Sequence, residues 1–99
     1  MPLDWAEVKH RYGSGARVPT VAGGKTLEVT GADDDAVHIR NALWRDSLQR
    51  VHLEKAATLL EQGRLSRSAG AFVEEYRTEV ADVRATSAAH ILKDLGYLT

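Results

Sequence analysis

A chain of 99 residues, 43% hydrophobic and 27% charged, carries enough apolar side chain for one ordinary domain core and none for a second. A net charge of −1 excludes a strong overall field for steering nucleic acid or an anionic membrane, although a local basic patch is compatible with it. With no cysteine, disulfide, thiolate and zinc–sulfur chemistry are excluded.

No apolar run approaches the roughly 18 residues that span a bilayer, so no membrane partner is expected. The stretch Met1-Pro2-Leu3-Asp4-Trp5 lacks the basic and apolar regions of a secretory leader. The expectation is a single domain over residues 1–99 in the cytoplasm.

In chain order, residues 4–12 read as a helix. Asp4 caps it, Glu7 completes a capping-box pair, and Leu3 and Val8 form a hydrophobic staple. Trp5, Val8 and Tyr12 share one face, and Gly13 is the expected stop. Residues 13–25 carry four glycines and Pro19 and read as loop, with an extended piece at Arg17-Val18 and Thr20-Val21.

Thr26–Thr30 alternates as a half-buried strand, Gly31–Asp35 is turn chemistry, and Ala36–Leu43 alternates again with Val37, Ile39 and Leu43 inward. These make a β-hairpin. Being marginal alone, it needs helices or a third strand from residues 17–22 or 43–49.

Residues 46–62 read as a helix capped by Asp46 or Ser47, with Gln49 three places after Asp46, or starting as late as Arg50; its stripe is Leu53, Ala56, Ala57 and Leu60, and it stops at Gly63. A third helix is expected over residues 71–83, with Phe72, Tyr76, Val80 and Val83 on one face. A fourth follows a Thr86-Ser87 cap, buries Ala88, Ile91, Leu92 and Leu95, and closes at Gly96 with Tyr97 folding back onto Leu92. The predicted class is α+β: an N-terminal helix, a small antiparallel hairpin or three-stranded meander, then three helices.

Motifs with chemical meaning are few. Gly23-Gly24-Lys25-Thr26 resembles the end of a phosphate loop. The glycine that such a loop needs at position 19 is Pro19, and the stretch enters a strand rather than a helix. Asp33-Asp34-Asp35 lacks the alternate spacing and distal glutamate of a calcium loop and reads as a solvated turn.

The four histidines, His10, His38, His52 and His90, show no metal-ligand spacing. Ser14, Ser47, Ser66, Ser68 and Ser87 lack the glycine context of a nucleophile elbow. No enzymatic activity, cofactor or metal is therefore expected.

Charge distribution says more. Residues 40–67 hold six basic against three acidic side chains, and residues 74–82 hold four acidic against Arg77. Arginine, which suits phosphate and carboxylate, dominates the basic side. Arg40, Arg45, Arg50, Arg64 and Arg67 are the candidate nucleic-acid contacts, for DNA or RNA, with Trp44 as a base-stacking residue.

The last two helices resemble a helix-turn-helix in outline, with Ser87, His90, Lys93 and Asp94 on the exposed face of the second. Trp5, Trp44, Phe72 and Tyr76 are the aromatic candidates for an interface. Trp5 and Phe72 read as core, and an exposed Trp44 would be the strongest anchor. The expected function is a non-catalytic binding or regulatory module, nucleic-acid-associated through the arginines. The alternative is a protein-interaction module, including a homodimer in which residues 40–67 meet residues 74–82.

Overall fold

The structure, a computed structural model, describes residues 3–21 and 23–99; the sequence readings at residues 1–2 and 22 lie outside them. The order is α1 (Trp5–Tyr12), β1 (Ala16–Pro19), β2 (Thr26–Ala32), β3 (Ala36–Arg40), β4 (Arg45–Gln49), α2 (Arg50–Glu61), α3 (Ala69–Glu79) and α4 (Ala85–Asp94). The four strands form one antiparallel sheet in the order β1-β2-β3-β4. The class is α+β, with both proposed sources of a third strand used at once.

Helix α1 begins where Asp4 accepts the Ala6 N–H at 3.0 Å, and its buried face is Trp5, Val8 and Tyr12. Gly13 caps it in a right-handed conformation (φ −59), and the left-handed turn falls two residues later at Gly15. The Asp33–Asp35 turn is built by Asp33, whose Oδ1 accepts the N–H groups of Asp35 (2.8 Å) and Ala36 (3.0 Å). Lys9 grips Asp34 at 2.6 Å, and the Trp5 indole N–H donates to the Asp33 carbonyl at 2.7 Å, fastening α1 to this turn.

Side-chain alternation divides the sheet into two faces. Val18, Leu27, Val29, Val37, Ile39 and Leu48 point into the core with the helix stripes Leu53, Ala56, Ala57, Leu60, Phe72, Tyr76, Ile91 and Leu92, all at or below 7% exposed. The opposite face carries polar side chains. Helix α4 crosses the interior, contacting β1, α2 and α3. It closes as its sequence implies: Gly96 is left-handed (φ 92) and the Tyr97 N–H donates to the Leu92 carbonyl at 2.9 Å.

Several expectations are corrected. Leu43 is 92% exposed, because β3 ends at Arg40 and the chain turns at Asn41, whose side chain accepts the N–H groups of Leu43 and Trp44. Residues 46–49, included in the longer reading of the second helix, belong to strand β4, and the helix takes the later start at Arg50. Helix α3 ends at Glu79, leaving Val83 half exposed. Thr86 and Ser87 lie inside α4 rather than capping it; the cap position is Arg84. Ser87 and His90, expected on an exposed face, are each 8% exposed. With all but Thr86 of its first eight residues buried, α4 cannot enter a DNA groove as a recognition helix.

Candidate functional site

Strand register assembles a feature absent from any single segment. Arg17 on β1 pairs with Glu28 on β2, Glu28 with Arg40 on β3, and Arg40 with Arg45 on β4. Their side chains share the solvent-facing side of the sheet. The result is a row of three arginines and one glutamate across all four strands, spanning about 14 Å at the usual inter-strand spacing. Glu28 is held by Arg40, whose Nε donates at 2.7 Å, so Arg17 and Arg45 keep their charge for a ligand. Neither of these two makes an ion pair among the described residues.

The sequence candidates separate on this framework. Arg40 and Arg45 are direct cross-strand partners, and Trp44 adjoins them at the hairpin end. Arg50 lies at the other end of β4, about 17 Å along the strand. There it sits over the Trp5 ring (5.3 Å) and donates to Glu54 and the Asp34 carbonyl.

Arg64 borders a hollow lined by Glu74, Glu75 and Glu79, so the basic and acidic segments meet within this chain. Arg67 donates to the Tyr97 carbonyl at 2.8 Å and its own carbonyl accepts the Thr99 N–H, tethering the last residues. Arg17 was missed by sequence reasoning because it stands alone in a glycine-rich stretch; only register reveals it.

Trp44 is half-buried against the core, and its ring receives the Arg84 guanidinium at 3.8 Å from the centroid. Arg84 also donates to Asp46 at 2.6 Å, and the pairing holds the Asp46 carboxyl below its ordinary range. Trp44, the candidate for base stacking, is therefore already stacked; a base reaching this point would meet the guanidinium plane instead.

Arg84 takes a left-handed backbone (φ 50), alone in this among the described non-glycine residues. That conformation costs an L-residue about 1–2 kcal/mol, nearly all of which glycine avoids. Arg84→Gly and Arg84→Ala both lose the stack, but the glycine variant is expected to be more stable by about 1 kcal/mol. Paired urea titrations check this, and an alanine variant as stable as the glycine one would contradict the assigned backbone.

Three side chains expected to be separate lie in line on the open sheet face: the Ser47 hydroxyl is 2.8 Å from His38 Nδ1, and His38 Nε2 is 2.7 Å from Asp33 Oδ2. This holds Asp33 down at about 2, chiefly through the His38 hydrogen bond and then through the turn N–H groups. A hydrolytic triad also needs N–H donors for the oxyanion and a site that excludes water. Here Asp33 is 57% and His38 40% exposed at the side chain, and the Ser47 N–H is committed to Asp46 Oδ1. The line latches the Asp33 turn to β3 and β4. Among the described residues, no three His, Asp or Glu side chains converge as a metal site, and no helix is long and apolar enough to cross a membrane.

On the helix-covered side of the same sheet end lies a groove of about 790 Å³. Its walls are the β1–β2 connection with Lys25, the Trp44–Arg84 stack, and the first turn of α4. Comparison of the chain with protein-family models, with curated proteins and with solved structures finds no significant match in any of the three.

Proposed function

We propose that this protein is a non-catalytic binding module whose ligand is nucleic acid, held on the open face of the sheet. The observation that carries the reading is the cross-strand row Arg17, Glu28, Arg40 and Arg45. An uncovered antiparallel sheet with arginines at fixed spacing offers bidentate donors to successive phosphates. The Arg84 plane over Trp44, beside the row's end, offers a stacking surface. Arg50 and Arg67, bonded elsewhere, and Arg64, off the sheet beside Glu74, Glu75 and Glu79, contribute little in this reading.

The test is fluorescence anisotropy of labelled single-stranded and duplex oligonucleotides across a salt series. Each phosphate contact on a single strand contributes about 0.7 to the slope of log affinity against log salt. Replacing Arg17 and Arg45 together by Ala is expected to lower that slope by about 1.4. Replacing Arg64 and Arg67 is expected to leave it nearly unchanged. Salt-independent binding, or equal loss from both sets, defeats the proposal.

The second reading is a protein-interaction module. Leu43, 92% exposed at the hairpin tip beside Trp44 and Arg45, has the apolar and arginine character of an interface centre. It predicts association lost in Leu43→Asp, with oligonucleotide binding absent.

A further inference from the structure

We infer that the groove at the start of α4 is a second binding site, specific for a phosphate group. It lies on the helix-covered side of the sheet end and borders Arg40 and the Trp44–Arg84 stack, but it rests on the helix end, Ser87 and His90, which the nucleic-acid reading does not use.

The first turn of any helix presents N–H groups with no intrahelical acceptor, and the aligned peptide dipoles favour an anion there. In α4 the first intrahelical acceptor is the Arg84 carbonyl, which takes the Ala88 N–H at 2.9 Å. The N–H groups of Ala85, Thr86 and Ser87 find no acceptor among the described residues, and no side chain caps the helix. A bare helix end is common. What distinguishes this one is the side chains beneath it.

Ser87 is 92% buried, lines the groove, and its hydroxyl has no partner among the described residues. No fully enclosed side-chain nitrogen or oxygen of the described residues lacks a partner, so the Ser87 hydroxyl is not sealed in, and the groove is the hollow that Ser87 lines. His90, one turn further on, is equally buried and lines the same groove. Its Nδ1 accepts the Val21 N–H at 3.1 Å, which fixes the proton on Nε2 and makes that nitrogen a second donor. Burial also holds the ring below its usual range, so it stays neutral and in this tautomer near neutral pH.

Thr86, exposed at the rim, adds a hydroxyl, and Lys25 adds positive charge. Of the two carboxylates on the groove, Asp46 is committed to Arg84 and the Ser47 N–H. Asp82 lies 3.9 Å from Arg77 and is 85% exposed. Donors and cations thus outnumber free acceptors around one helix end, and a tetrahedral oxyanion satisfies that arrangement. The groove is several times larger than a phosphate ion, so it has room for a phosphomonoester of nucleotide size as well.

The test is an NMR titration of the full chain with inorganic phosphate, with a nucleoside monophosphate, and with an oligonucleotide lacking terminal phosphates. The expected result is saturable movement of the amide signals of residues 85–87 and of the His90 ring, with phosphate or with the monophosphate. Tighter binding of the monophosphate identifies an ester as the ligand, and equal binding identifies the free ion.

Ser87→Ala is expected to weaken binding by about tenfold. Ser87→Asp places a carboxylate in the anion's position, where the helix dipole favours it, and should abolish binding while the thermal midpoint holds. Drift without saturation, movement spread over all surface arginines, or unchanged binding in a folded Ser87→Asp variant overturns the site. Saturation at residues 85–87 by phosphate, with no oligonucleotide bound on the sheet, supports this site while defeating the nucleic-acid reading.

Discussion

Leu92→Ala is expected to lower unfolding stability by about 2–5 kcal/mol. Leu92 is fully buried in the helix that touches β1, α2 and α3, so its side chain is enclosed from several directions and the cavity has little means of collapsing. A domain of this size has a total stability of about 5–15 kcal/mol, so the change removes a large share. At about 4–8 °C per kcal/mol the thermal midpoint should fall by about 8 °C or more. Leu43→Ala, at a position 92% exposed, should stay within about 0.5 kcal/mol of the parent. Urea unfolding followed by circular dichroism measures both. Comparable losses in the two variants would mean that the core lies elsewhere.

The same contrast shows how far sequence reading reached. Helix stripes at Leu53–Leu60 and Ala88–Leu95 were legible because each repeats every three to four residues for about two turns. The hairpin was legible because Leu27, Val29, Val37 and Ile39 alternate on both sides of an aspartate turn. Strand β1 was obscured by the surrounding glycines. Strand β4, with Leu48 as its one buried apolar residue, carried stronger helix-start signals at Asp46 and Ser47 than strand signals.

Of the candidate site, Arg40, Trp44 and Arg45 were named from the sequence, but the cross-strand pairing of Arg40 with Arg45, Arg17 and the α4 groove were not. The cross-strand row and the groove are assembled from segments far apart in sequence, and only strand register and helix packing join them. His90 was misplaced for a related reason: an amphipathic reading assumes one buried face, whereas α4 is enclosed nearly all round.

Asp94→Ala is expected to destabilise the protein by about 1.5–3 kcal/mol, the range for a hydrogen bond to a charged group. Tyr12 is fully buried, and its hydroxyl donates to Asp94 Oδ2 at 2.5 Å. Arg11 Nε donates to the same oxygen at 2.9 Å, so this carboxylate ties α1 to the C-terminal end of α4. Removing it strands a buried hydroxyl and frees a cation at once. Asp94→Asn keeps an acceptor for Tyr12 and should lose less.

The pH dependence separates the charge from the packing. Burial alone would raise the Asp94 carboxyl, but the hydrogen bonds from Arg11 and Tyr12 together outweigh it and hold the group below its ordinary value of 3.8. A carboxyl lower in the folded than in the unfolded state stabilises the fold fully above the unfolded value, and that contribution drains away as pH falls through the folded one. The gap in thermal midpoint between parent and Asp94→Ala should therefore be constant from neutrality down to about pH 5 and narrow below about pH 4. Asp33 and Asp46, lowered by His38 and Arg84 respectively, drain over the same acid range in both proteins and cancel from the difference. A gap that stays constant down to pH 2 would mean that Asp94 acts through packing and not through its charge.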